Sequence, residues 1–108
     1  MNTLPKPIAD YVAAFNAPDM EGMLRSFTPD AVVVDENKER RGRDAIRAWI
    51  EETSAQYSPR VAVKDFTQEG NKAVMHGEVS GTFPGSPVVL RFAFDLKEGG
   101  IARLVIEA

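Results

Sequence analysis

The sequence predicts an α+β domain in which helices pack on one face of a curved antiparallel sheet. Two observations lead to this fold class. In the first part of the chain, apolar residues recur at helical spacing, whereas the second part is a series of short strands separated by tight turns. The 108 residues suit one domain, 1–108, large enough for a single hydrophobic core.

Composition excludes several classes of function. With no cysteine and one histidine, the chain has no disulfides, thiolate nucleophiles or zinc fingers, and we expect no cofactor and no metal. The 13 Lys plus Arg against 16 Asp plus Glu give no electrostatic reason to expect a nucleic acid partner. No apolar run is long enough to span a bilayer, and the first residues lack the apolar core of a signal peptide. We therefore expect no membrane partner and a cytoplasmic location.

Three helices are predicted before the strands. The first follows Pro5 and Pro7, since proline is tolerated where a helix begins. Asp19 is a suitable N-cap for the second, and the third opens after Gly42 and ends before Ser58. The inward-facing residues of the three helices are Ile8, Tyr11, Val12 and Phe15; Met20, Met23, Leu24 and Phe27; and Ala45, Ile46, Trp49 and Ile50.

A short buried strand, residues 31–35, lies between the second and third helices and ends in a carboxylate. Because strand residues alternate faces, Ala31, Val33 and Asp35 share one side and Val32 and Val34 the other. Aspartate is expensive to bury without a partner. Asp35 is therefore expected either at the solvated end of the strand or at the mouth of an apolar pocket.

The rest of the chain predicts an antiparallel meander of four strands. Its turns are signalled by Glu69-Gly70-Asn71, Pro84-Gly85 and Glu98-Gly99-Gly100. Gly77 and Gly81 fall on the same face as Met75 and Val79, where glycine is expected to let the sheet bend and to leave space above it. A bent sheet with helices across its concave side would enclose a pocket.

In this order of elements, the chain resembles the NTF2-like superfamily. Within it, the chain is most similar to the ketosteroid isomerase and SnoaL-like polyketide cyclase branch. The matching stretches are Tyr11 to Asp19, Phe27 to Asp35 and Gly42 to Arg47. The resemblance implies a cone-shaped fold and a homodimer formed through the outer face of the sheet. That face is predicted to carry Val32, Val34, His76, Glu78, Ser80, Arg91, Ala93 and Val105.

The resemblance also implies a catalytic pair. The general base of ketosteroid isomerase matches Asp35, and its oxyanion-donating tyrosine matches Tyr11. The position of the second oxyanion donor is occupied by Phe92. Because losing one such donor costs about 100- to 1000-fold in turnover, we expect a slow isomerase-type activity or a related reaction that needs less enolate stabilisation.

The predicted partner is a small apolar molecule, a cyclic ketone of steroid or polyketide type. Candidate ligand-binding side chains are aromatic or sulfur-containing, and they are equally suited to the core: Phe15, Phe27, Trp49, Met75, Phe92 and Phe94. Two alternatives stay open. One is a non-catalytic ligand-binding or dimerisation module. The other is a hydratase or hydrolase in which Asp35 activates water, which requires a second polar group in the pocket.

Overall fold

Helices cover one face of a single sheet in the computed structural model, which describes residues 4–108. The helices are α1 (Lys6–Asn16), α2 (Met20–Arg25) and α3 (Gly42–Tyr57). The strands are β1 (Phe27–Asp35), β2 (Lys38–Arg41), β3 (Arg60–Glu69), β4 (Lys72–Ser80), β5 (Val88–Lys97) and β6 (Gly100–Glu107). The predicted α+β class, with helices packed on one face of a curved sheet, is confirmed, and the sheet is not closed. No described helix combines the length and the hydropathy needed to cross a membrane.

The strands lie in the order β2-β1-β6-β5-β4-β3. The predicted meander of β3 to β6 is present, with antiparallel pairing throughout. One pairing differs from an all-antiparallel sheet, because β1 lies parallel to β6. This pairing joins the first strand to the last and places Asp35 beside Ile106. Ile106 in turn pairs with Phe92, so Asp35, Ile106 and Phe92 form one row on the concave face.

The three predicted turns are present. Gly70, Gly85 and Gly99 each have positive φ (63°, 86° and 77°), a conformation that glycine adopts without steric cost. Strand β4 ends at Ser80, before the turn at Pro84-Gly85. Beyond it, the backbone N–H of Thr82 donates to the carbonyl of Tyr57 at 2.8 Å, which ties the loop to the end of α3 instead of to the sheet.

The glycines on the concave face do not leave empty space, which corrects the expectation from the sequence. A Cβ on Gly77 would lie 2.6 Å from Val61 Cγ2 and 3.1 Å from Phe92 Cε1. A Cβ on Gly81 would lie 2.5 Å from the carbonyl oxygen of Tyr57. These positions need glycine because neighbouring groups approach the backbone closely, and the open space lies elsewhere.

The helices are fixed to the sheet by a few specific contacts. Asp19 caps α2 as predicted, its carboxylate accepting the backbone N–H of Gly22 at 3.0 Å. Asn16 pairs with both backbone groups of Val61, donating to its carbonyl at 2.9 Å and accepting its N–H at 2.8 Å. Arg43 Nη2 donates to the carbonyl of Phe27 at 2.8 Å. The contacts of Asn16 and Arg43 thus tie α1 and α3 to strands of the sheet.

Candidate functional site

A cavity of about 980 Å³ lies between the concave face of the sheet and helices α1 and α3. Its sheet wall includes the apolar residues Val79, Val88, Leu90, Phe92 and Ile106, together with Arg60 and Glu107. The facing wall is the inner side of α3, which contributes Trp49, Ile50, Thr53, Ser54 and Tyr57 at helical spacing. Tyr11 and Phe15 of α1 also line it, and Asp35 lies at the end of β1. This volume suits a ligand of several fused or linked rings.

Asp35 is half-buried and lines the cavity. The indole Nε1–H of Trp49 donates to its carboxylate oxygen Oδ2 at 3.0 Å. The guanidinium of Arg40 donates to its backbone carbonyl at 3.0 Å. The sequence allowed this carboxylate either at a solvated strand end or at the mouth of an apolar pocket. In the structure it lines the cavity.

Tyr11 is 1 % exposed, and its hydroxyl has no hydrogen-bond partner among the described residues. Its ring is held by edge-to-face contacts with Phe15, Phe27 and Phe94, whose centroids lie 5.9, 5.6 and 6.2 Å away. Burial, and secondarily the charge of Asp35, raises the pKa of Tyr11 well above its ordinary value. The group therefore keeps its proton near neutral pH and remains a hydrogen-bond donor.

The six candidate ligand-binding residues divide into two sets. Phe15, Trp49 and Phe92 line the cavity. Phe27, Met75 and Phe94 do not; they are no more than 1 % exposed and belong to the core behind the cavity wall. The side chains of Phe92, Trp49 and Met75 therefore do not fill the cavity.

Two features of the site were not anticipated from the sequence. The bond from Trp49 to Asp35 is one, although the helical pattern did place Trp49 on the inner face of α3. The other is the pair of hydroxyl side chains, Thr53 and Ser54, on the cavity wall. Thr53 donates to the carbonyl of Trp49 at 2.9 Å, so its proton is already engaged. Ser54 is a second polar group of the kind that water activation by Asp35 would require.

The outer face of the sheet carries polar pairs. His76 lies on this face, as its strand parity predicts, and its Nδ1 is 2.7 Å from a carboxylate oxygen of Asp65.

No group of three or more His, Asp or Glu side chains close enough to hold a metal ion occurs within residues 4–108.

Comparisons with known proteins agree with this fold. The family model of the SnoaL-like domain matches residues 8–104. A solved structure of a candidate polyketide cyclase, protein SMa1630 from Sinorhizobium meliloti, is similar over 96% of this chain and 95% of its own, with 38% identity and a TM-score of 0.93. Among curated proteins, none matches the sequence.

Two more distant structures share the fold. One is a protein from Catenulispora acidiphila with a ketosteroid isomerase-like fold, in complex with trimethylamine; it has 18% identity and a TM-score of 0.84 over 98% of this chain and 87% of its own. The other is TerC, co-crystallised with polyporic acid, with 21% identity and a TM-score of 0.78 over 94% and 87%. The match over residues 8–104, together with the 38% identity to the S. meliloti protein, shows that this chain belongs to the SnoaL-like domain family.

Proposed function

We propose that this protein is a ketosteroid isomerase-like enzyme that transfers a proton next to a carbonyl group of an apolar cyclic ligand. Asp35 is the general base, and Tyr11 hydrogen-bonds the oxyanion that develops on the carbonyl oxygen. The observation that carries the proposal is that Asp35 and Tyr11 line the same cavity, and that the Tyr11 hydroxyl has no hydrogen-bond partner among the described residues. The comparisons establish the family and the fold; the reaction is our inference from the site.

The Tyr11 hydroxyl supports a role in the site because leaving it unpartnered costs free energy. A buried hydroxyl without a hydrogen bond costs about 1–3 kcal/mol. A ligand carbonyl in the cavity would accept this hydrogen bond, most strongly when negative charge develops on its oxygen. The raised pKa of Tyr11 fits such a donor, since the hydroxyl stays protonated at neutral pH.

The walls favour a flat apolar ligand. The middle of the sheet side of the cavity consists of aliphatic side chains and Phe92, and most of the hydroxyl-bearing side chains lie on α3. The names of two structural neighbours, a candidate polyketide cyclase and a protein crystallised with polyporic acid, are consistent with a small organic ligand. Steroid-like and polyketide-like carbonyl compounds are therefore the classes to test.

Phe92 limits the rate that we expect. It adjoins Ile106 in the row that begins at Asp35, and it offers no hydrogen bond to an oxyanion. With Tyr11 as the donor, turnover should be about 100- to 1000-fold below that of a site with two donors.

The test is the ultraviolet absorbance of a β,γ-unsaturated steroid ketone incubated with the protein. Formation of the conjugated enone should fall by a factor of about 100 to 10,000 in Asp35→Asn, which removes the base and keeps the shape. Asp30→Asn is the matched control, because Asp30 is an exposed carboxylate in the same strand. Equal rates in the wild type and Asp35→Asn, with either a steroid or a polyketide-type ketone, would overturn the proposal.

We also propose that the protein forms a homodimer through the outer face of the sheet. Register places an apolar row across four strands on this face: Val34, Val105, Ala93 and Val74. A polar row borders it on one side, with an acid at each end and two basic side chains between them: Glu107, Arg91, His76 and Asp65. A row of alternating charge borders it on the other: Arg103, Asp95, Lys72 and Glu69. Rows that contain both acidic and basic side chains can pair with themselves across a two-fold axis, while the apolar row supplies the contact area.

Light scattering after size-exclusion chromatography tests the dimer. Val105→Glu places a charge in the middle of the apolar row and should convert the protein to a monomer. Val63→Glu is the control, because Val63 is 37% exposed in the edge strand β3 and lies outside the three rows. A wild-type protein of monomer mass, or loss of the dimer in both variants, would contradict this surface.

A further inference from the structure

We propose that Trp49 is a positioning residue for the Asp35 carboxylate, holding Oδ2 so that Oδ1 is the oxygen that accepts the proton. The inference rests on the proposed function, in which Asp35 is the base. It adds to that function a residue on another element of the fold and an assignment of the two carboxylate oxygens.

Backbone contacts on both sides fix the main chain of Asp35. As the last residue of β1 it pairs with Lys38 of β2 on one side and Ile106 of β6 on the other. Arg40 Nη1 donates to its carbonyl oxygen at 3.0 Å. What stays free to move is the side chain, through two rotatable bonds.

Trp49 removes that freedom. Its Nε1–H lies 3.0 Å from Oδ2, and the indole is only 7% exposed, so the donor is held by packing on α3. No Lys, Arg or His of the described chain forms an ion pair with this carboxylate. The indole bond is therefore the side-chain contact that sets the orientation of the carboxylate.

The chemistry of the indole N–H determines which carboxylate oxygen of Asp35 accepts the substrate proton. Indole N–H is a donor only, so Trp49 cannot accept the substrate proton itself. In the proposed reaction the C–H bond next to the carbonyl breaks and its proton moves to Oδ1. Its electron pair forms a carbon–carbon double bond, and the carbonyl π electrons move to the oxygen, which accepts the hydrogen bond from Tyr11. Return of that proton to a different carbon completes the isomerisation and restores the carboxylate. Oδ2 keeps its bond to Trp49 throughout.

The first measurement detects the hydrogen bond between Trp49 and Asp35 and needs no substrate. Trp49 is the single tryptophan of the chain, so a proton–nitrogen correlation spectrum contains one indole N–H signal. This signal should move upfield and exchange faster with solvent in Asp35→Ala, which has no acceptor. Asp35→Asn keeps a carbonyl acceptor and should give an intermediate position. An indole signal that is the same in the wild type and Asp35→Ala would overturn the proposal.

The second measurement is kinetic. Trp49→Phe keeps an aromatic ring and loses the donor; kcat should fall roughly ten- to a hundredfold, because small misplacements of a reacting group have effects of this size. KM should change by much less. Ile46→Val is the packing control, since Ile46 is fully buried on the same helix and does not line the cavity. It should reproduce any loss of stability without the loss of kcat.

The outcomes separate the two proposals. If kcat is unchanged in Trp49→Phe while Asp35→Asn is inactive, Asp35 is the base and Trp49 does not position it. If Trp49→Phe and Ile46→Val lose kcat equally, the effect is structural and positioning is overturned. If the wild type turns over none of the ketones, the proposed function fails, and the indole signal then decides by itself whether Trp49 holds the carboxylate.

Discussion

The concave side of the sheet has two ends that are built differently. At the filled end, Phe27, Met75, Phe94 and Leu104 are at most 1 % exposed and leave no accessible space. At the open end, Val79, Val88 and Leu90 of the sheet face Thr53 and Ser54 of α3 across the cavity. The difference lies in how the side chains meet: those of the first region pack directly against one another, whereas those of the second, aromatic and aliphatic alike, lie on opposite sides of a cavity.

Tyr11 lies on the boundary between the two ends. Its ring packs edge-to-face against Phe27 and Phe94 of the filled end. The residue also lines the cavity, and its hydroxyl has no hydrogen-bond partner within residues 4–108. The filled end thus provides a rigid support for a side chain that borders the open end. We infer that stability and function are divided between the two ends, and the following predictions test this division.

The largest expected effect is on stability at the filled end. Phe94→Ala should lower the free energy of unfolding by about 3–5 kcal/mol, because a buried ring is replaced by a cavity. Leu90→Ala at the open end should cost only about 1–2 kcal/mol, because Leu90 is partly buried and its removal enlarges a cavity that already exists. Denaturant unfolding of both variants measures the difference. Equal losses would show that the two ends contribute alike.

A smaller effect, with opposite signs for activity and stability, is expected at the boundary. Tyr11→Phe should lower turnover by about 100- to 1000-fold, through loss of the oxyanion donor. The same change should raise the free energy of unfolding by about 1 kcal/mol, since it removes a buried hydroxyl without a partner.

Tyr57→Phe provides the comparison for stability. Tyr57 keeps its ring contact with Phe83 in this variant, and the unfolding free energy should change by less than about 0.5 kcal/mol. A destabilised Tyr11→Phe protein would mean that the hydroxyl has a partner in solution and is not held for a ligand.

The smallest effect concerns alkaline pH. The pKa of Tyr11 is raised in the folded protein, so folding favours the protonated form. Below the ordinary tyrosine pKa of about 10, both states are protonated and stability is unaffected. Above it the unfolded chain loses this proton first, and the free energy of unfolding falls as pH rises.

The free energy of unfolding of the wild type and of Tyr11→Phe is measured in denaturant from about pH 8 to 11. The wild type should lose stability more steeply at the alkaline end, since other groups titrate equally in both proteins. Parallel pH dependences would contradict the burial of the hydroxyl.

Much of the fold could be predicted because its signals are local. The apolar periodicity of residues 8–15 and 45–50 predicted α1 and α3, and the cap at Asp19 predicted the start of α2. Turn chemistry at Gly70, Gly85 and Gly99 predicted the meander. The candidate site was predicted only in part: Asp35 and Tyr11 do line one cavity, but Phe27 and Phe94 are core residues, and Gly77 faces close neighbours where open space was expected.

By itself, the sequence determined which residues face inward and where the chain turns, because these depend on side-chain period and backbone freedom within a few residues. Only the tertiary structure decided the parallel pairing of β1 with β6, the bond from Trp49 to Asp35, and the isolation of the Tyr11 hydroxyl. Each of these depends on how far apart elements remote in sequence lie when packed. That separation is set by the summed volume of the side chains between them, which no local pattern encodes.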